Sequence, residues 1–243
     1  MSNFTDMLDR LRSLDPERMI GLRPPYPPVA LQLERSGAAL VRLKRRRRGL
    51  PLLESHAVRN VSQECMPASI FQPIPDMTKE LVPKLRELFE VSGTRPGRVS
   101  VILPDNLAKI SLLTLPERPA SRKQMDELVK SKMRRAVPFR LEEAGLSYQI
   151  LPGEGREVSV LVLLVRRALV ERLEGTLGAI GARTGLIDIC TPNLINLCRS
   201  RIESAGRNGG DVALLNCAGN YFSLVILRRE RLIFFRCKTY AVE

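Results

Sequence analysis

The chain has 243 residues, 44% of them hydrophobic, and its 39 Lys+Arg against 26 Asp+Glu give a net charge of +13 and a pI near 10.1. That length buries one large core or two small ones. The charge favours phosphate-rich or anionic-lipid surfaces, whereas 5% aromatics and no Trp leave few platforms for stacking single-stranded bases.

Phe4, Met7, Leu8, Leu11 and Leu14 recur at helical spacing among Asp6, Asp9, Arg10 and Arg12, which predicts a short amphipathic helix that docks on the fold, a membrane or a partner. The Pro-rich stretch Arg23 to Pro28 stops it. From Val29 the pattern reads as a three-strand antiparallel meander: VALQLE, then AALVRLKR, then LPLLESHAVRNV. Its second turn carries a basic run, Arg45, Arg46, Arg47 and Arg48, a solvated tip suited to anionic lipid or an acidic partner. His56, the sole histidine, falls in a strand, so neither a zinc site nor a histidine-based triad is expected.

A proline-bearing loop precedes a helix from about Asp76, with Asp76 or Thr78 as cap and Leu81, Leu85, Leu88 and Phe89 as its buried stripe. The string RVSVILPD is a buried strand, and AKISLLTL (Ala108 to Leu115) is another. A helix capped by Ser121 follows, with Met125, Leu128, Val129, Met133, Ala136 and Val137 inward and Lys130, Lys132, Arg134 and Arg135 outward, ended by Pro138. A strand pair around PGEGR and a helix ending at Gly181 complete a β-α-β-β-α unit. Gly185 to Cys190 is a strand, and Thr191 is placed to cap a helix with Pro192 at its first position. SAGRNGGD reads as a linker. The chain from Asp211 onward repeats the meander, so the fold is expected to be internally duplicated.

Five cysteines without C-x-x-C spacing (Cys65, Cys190, Cys198, Cys217 and Cys237) point to a reducing compartment. With no signal-peptide core and no apolar run beyond Val158 to Val165, a cytoplasmic protein is expected.

Three segments carry a resemblance to a known family. AVPFRLEEAGLSYQIL, VSVLVLLVRRALVERLEGTLGAIGARTGLIDICTPNLINLCR and DVALLNCAGNYFSLVILRRERLIFFR resemble, in order and spacing, the PilM family of type IV pilus assembly, which is actin-like and related to the cell-division protein FtsA. The resemblance implies an α/β (α+β) chain with an actin-like, ribonuclease H-like fold. Residues 1–20 would be the N-terminal helix, 21–105 plus 182–205 a first subdomain, 106–181 an inserted β-α-β-β-α module, and 206–243 the start of a second half. The rest of that half does not follow, as in a truncated or shortened relative.

An actin-like ATPase needs a carboxylate and a close glycine at the first turn of each half, to hold metal and admit phosphate. The first turn here offers Glu34, Ser36 and Gly37, with the glycine one place late. The second offers Asn216, Ala218 and Gly219, with an amide at the carboxylate position and Phe222 at the usual Thr. This predicts degenerate phosphate loops, no enzyme, and no cofactor or metal, with ATP/Mg disfavoured. The resemblance further implies a non-catalytic scaffold, cytoplasmic and peripheral to the inner membrane. It would bind the tail of a PilN-like membrane protein in a groove that includes Ile110, Leu112, Leu113, Val137, Pro138 and Phe139, and so link indirectly to pilus motor ATPases. The other readings are a nucleic-acid or anionic-membrane binder using the basic run and helix face, an actin-like ATP-binding protein, and a GspL-like type II secretion component. Specific nucleic-acid binding lacks any accompanying motif.

Overall fold

Strands buried on both faces tend to be short apolar runs, and RVSVIL at residues 98–103 forms such a strand between two parallel neighbours. The structure, a computed structural model, describes residues 26–44, 51–152, 156–207, 209–229 and 231–240. The expected N-terminal helix and the Arg45 to Arg48 run lie outside these residues. In chain order the elements are β1 (Val29–Glu34), β2 (Gly37–Lys44), β3 (Leu52–Asn60), α1 (Thr78–Val91), β4 (Arg98–Leu103), β5 (Ala108–Leu115), α2 (Arg122–Arg134), β6 (Ala144–Pro152), β7 (Val158–Arg166) and α3 (Arg167–Gly178). They continue with β8 (Arg183–Ile189), α4 (Cys190–Leu197), α5 (Arg199–Gly206), β9 (Asp211–Ala218), β10 (Tyr221–Arg228) and β11 (Arg231–Thr239).

The first sheet has the order β3-β2-β1-β4-β8, an antiparallel meander extended by two parallel strands. α1 starts where Asp76 accepts the Thr78 N–H at 3.1 Å. It buries the expected Leu81, Leu85, Leu88 and Phe89, and Gly93, with φ +63°, closes it in the left-handed conformation that glycine adopts without strain. Those side chains pack with Leu31, Leu33, Leu40, Val101 and Leu103 of the sheet in one core.

α3 joins the same core through Leu169, Leu173 and Leu177. This helix, expected within the inserted module at 106–181, packs its apolar stripe on the first sheet and also touches Leu163 and Val165 of β7, so it bridges the two. The module's own sheet is antiparallel, β5-β7-β6. On one face α2 lays Met125, Val129 and Met133 over Val160, Val162 and Leu164. α2 is capped by Ser121, whose hydroxyl oxygen accepts the Gln124 N–H at 3.2 Å, and it ends at Arg134, a full turn before Pro138. On the other face Ile110, Leu112, Leu151 and Leu161 meet the C-terminal meander through Val225, Leu227 and Phe235.

That meander, ordered β11-β10-β9, repeats the plan of β1 to β3. Gly219, at φ +49°, occupies the first position of its two-residue β9–β10 turn, where a primed hairpin turn needs a positive φ. The stretch expected to be a linker is helical through Gly206.

Candidate functional site at the junction of the halves

Parallel strands end together, and ligand sites of open α/β sheets lie beyond their carboxyl ends. Here β1, β4 and β8 deliver Glu34, the turn Pro104-Asp105-Asn106, and Asp188 with the start of α4. The second meander adds Asn216 from β9 and Tyr221 and Ser223 from β10. Asp105 is fully buried at the centre. Its Oδ1 accepts the Thr191 N–H at 2.9 Å, and its Oδ2 accepts the Ser223 hydroxyl at 2.6 Å and the Thr191 hydroxyl. Asn216 Nδ2 donates to Thr191 Oγ1 at 3.0 Å. Thr191 is therefore the second residue of α4 and not its cap: its hydroxyl is held by Asp105, remote in sequence, and α4 has no side-chain cap.

Asn106 extends the junction. Its Nδ2 donates to the Ala68 carbonyl at 2.8 Å and to Asn220 Oδ1 at 3.2 Å, and Asn220 Nδ2 donates to the same Ala68 carbonyl at 3.1 Å. One three-residue turn thus fastens the proline loop, α4 and the second meander together. Two buried oxygens, Asn106 Oδ1 and Tyr221 Oη, make no well-formed hydrogen bond among the described residues, although the Asp105 backbone approaches Tyr221 Oη.

Burial pushes the Glu34 carboxyl above its usual range; Gln32, donating from Nε2 to Oε1 at 3.1 Å, opposes this, and the Asp105 charge adds to it. Burial likewise raises Asp188, against hydrogen bonds from the Ile189 N–H and Asn193 and with Asp105 adding. The Cys190 thiol is pushed up to about 11 by burial, with Asp105 and Glu34 contributing. A thiol so raised is inert at neutral pH. Among the described residues no group of three or more His, Cys, Asp or Glu side chains is arranged to hold a metal.

The sequence-predicted phosphate-loop residues separate into two sets. Glu34 and Asn216 meet in the junction, both acting on Cys190. Ser36 is exposed in the Arg35-Ser36 turn, where its carbonyl accepts the Val61 N–H at 3.1 Å. A Cβ on Gly37 would lie 3.3 Å from the Arg59 carbonyl oxygen, so this glycine accommodates β3. Ala218 and Gly219 sit at the hairpin tip, Gly219 exposed. Phe222 points away from the junction and stacks on Tyr240 at 6.4 Å between centroids, while its neighbour Ser223 supplies the inward hydroxyl. Asp105, Asp188 and Ser223 were missed by sequence reasoning. The only signal for Asp105 was a charge directly after a buried strand and its proline.

The six residues of the expected partner groove are also divided. Ile110 and Leu112 lie against the C-terminal meander, and Leu113, Val137 and Phe139 pack in the module core beneath α2. Pro138 is exposed. Phe139 borders the seam between module and first subdomain: the Arg166 guanidinium lies 5.7 Å from its ring centroid and donates to the Gln72 carbonyl at 3.0 Å. Ile70, Ile74, Leu107 and Leu169 close that seam, leaving no space for a water-sized molecule.

The family profile described as type IV pilus assembly protein PilM matches residues 31–241. The chain belongs to the PilM family. No curated protein sequence matches it. Among solved structures it is similar to a chain of a "PilM-PilN type IV pilus biogenesis complex", at 22% identity and a TM-score of 0.68, covering 87% of this chain and 61% of that one. It thus spans about three fifths of the length of that PilM-family relative. Weaker likenesses, both at a TM-score of 0.48, are to a Bacteroides thetaiotaomicron protein with an actin-like ATPase fold (11% identity, covering 87% of this chain and 69% of that one) and to the cytoplasmic domain of EpsL from the Vibrio cholerae type II secretion system (10% identity, 87% and 70%). The PilM-family fold is the mixed α/β, actin-like one that the resemblance implied. Among the described residues no helix is long and apolar enough to cross a membrane.

Proposed function

We propose that this PilM-family chain is a non-catalytic adaptor of type IV pilus assembly that binds the cytoplasmic tail of a PilN-like inner-membrane protein, on the cytoplasmic side of that membrane. The observation that carries the reading is the family match over residues 31–241, together with the likeness to a PilM–PilN complex. At the closed seam between first subdomain and module, the half-buried Arg166 and Phe139 supply a cation and an apolar ring, which suit the edge of a short extended peptide laid along it.

Absence of turnover is supported by chemistry at the junction. An amide, Asn216, stands where a second carboxylate would hold a metal, Asn216 and Ser223 are already committed to Thr191 and Asp105, and Ser36 and Gly37 serve the strand pairing. A synthetic PilN-like N-terminal tail, titrated calorimetrically into the purified protein, should bind in the micromolar range. No heat at high micromolar concentration would remove the tail-binding reading. Mg²⁺-dependent ATP hydrolysis abolished by Glu34→Ala would remove the non-catalytic one.

A further inference from the structure

Three donors converge on a single buried carboxyl where the two halves meet. The Thr191 N–H, at 2.9 Å, lies in the first turn of α4, where backbone donors have no intrahelical partner and carry the positive end of the helix dipole. The Thr191 and Ser223 hydroxyls complete the set, the latter at 2.6 Å. Asn216 fixes the first hydroxyl: by donating to Thr191 Oγ1 at 3.0 Å it leaves that group's own proton for Asp105. A fourth hydroxyl lies beside them: Tyr221, 1% exposed, makes no well-formed hydrogen bond among the described residues, meets the Asp105 backbone and feels the charges of Glu34 and Asp105. Helix N-terminus, hydroxyls and phenol, all turned inward, form the donor arrangement that holds an oxyanion.

We propose that this cradle is an oxyanion site of carboxylate or phosphate type, which the chain fills with its own Asp105. The tethered carboxylate then joins first sheet, α4 and second meander without any bound ligand, and keeps free anions out. The inference concerns the link between the halves and stands apart from tail binding, which is measured on different residues.

Asp105→Ala, made in the full chain, empties the cradle. Its melting temperature should fall by roughly 5–10 °C, and formate or acetate should restore part of the loss in a saturable way, at ionic strength held constant with sodium chloride. Wild type should not respond. Inorganic phosphate is a separate arm: recovery with phosphate as well shows a cradle open to tetrahedral anions, and recovery with formate or acetate alone shows one shaped for a planar carboxylate. Ser223→Ala added to Asp105→Ala should abolish the recovery. The proposal is overturned if no anion restores stability, if chloride does so equally, or if the recovery survives loss of Ser223. Should Asp105→Ala not fold, Asp105→Asn decides: it keeps the shape without the charge, and a melting temperature equal to wild type refutes the need for an anion. Failure of the tail peptide to bind, with anion rescue intact, would count against the adaptor reading alone.

Discussion

Replacing Tyr221 by Phe should stabilise the protein. The ring is 1% exposed and fills space between Glu34, Asp105 and Cys190, so its packing survives the change. What is lost is the phenolic oxygen, which the Asp105 backbone approaches but which makes no well-formed hydrogen bond among the described residues. An unsatisfied buried hydroxyl costs about 1–3 kcal/mol. For a chain of this size 1 kcal/mol moves the melting temperature by about 2–4 °C. Tyr221→Phe should therefore raise it by about 2–12 °C, read by differential scanning calorimetry, with a matching rise in the urea midpoint and an unchanged m-value. The burial that strands this oxygen also drives the phenol's pKa upward, which keeps it neutral at every pH used. A fall of 2 °C or more would refute the reasoning, because the oxygen would then be shown to have a partner such as a buried water.

Glu34 and Asp188 titrate with a definite sign. Both folded-state values are raised above the ordinary 4.5 and 3.8, chiefly by burial, so the stability they contribute is complete below those values and lost as pH rises through the raised ones. Glu34→Gln and Asp188→Asn should each raise the melting temperature at neutral pH, and the gain should vanish by about pH 4; a gain independent of pH would contradict the assignment. Leu85→Ala, at a site 1% exposed in the first core, should cost about 2–5 kcal/mol in urea unfolding. Phe139→Ala should weaken a PilN-like tail about tenfold or more in calorimetry, and because the ring also packs beneath α2 it should lower the melting temperature as well; equal affinity in the folded variant would move the binding site elsewhere.

Local chemistry was legible in the sequence, and remote partnership was not. The stripe Leu81, Leu85, Leu88 and Phe89, the Ser121 cap and the Gly181 stop depend on residues a turn apart, and all three are observed. Thr191 has the composition of a cap, but Asp105 competes for its hydroxyl, and nothing near Thr191 announces that carboxyl. The same holds for α3, whose leucines have helical period but face the first sheet. The exchange of Phe222 for Ser223 is a matter of parity. With a two-residue Gly219-Asn220 turn, Asn216 pairs with Ser223 and the two share a face, which the alternation alone would have shown. At Asp105 the signal is one charge after a strand, indistinguishable in sequence from a solvated turn.

The pairing of Ala108 with Val165 places the two ends of the inserted module side by side. This changes how the first sheet is assembled during synthesis. β4 must wait for β8, and the chain between Leu103 and Arg183 would otherwise be a long loop to close before that parallel pairing could form. Once β5, β6 and β7 have paired, the module behaves as a clip that shortens the loop to its flanks and to α3, whose leucines then settle on the sheet. Pairing within the inserted module thus lowers the entropy cost of bringing β4 and β8 together, and an insertion of this size adds little to the closure of the sheet that holds it.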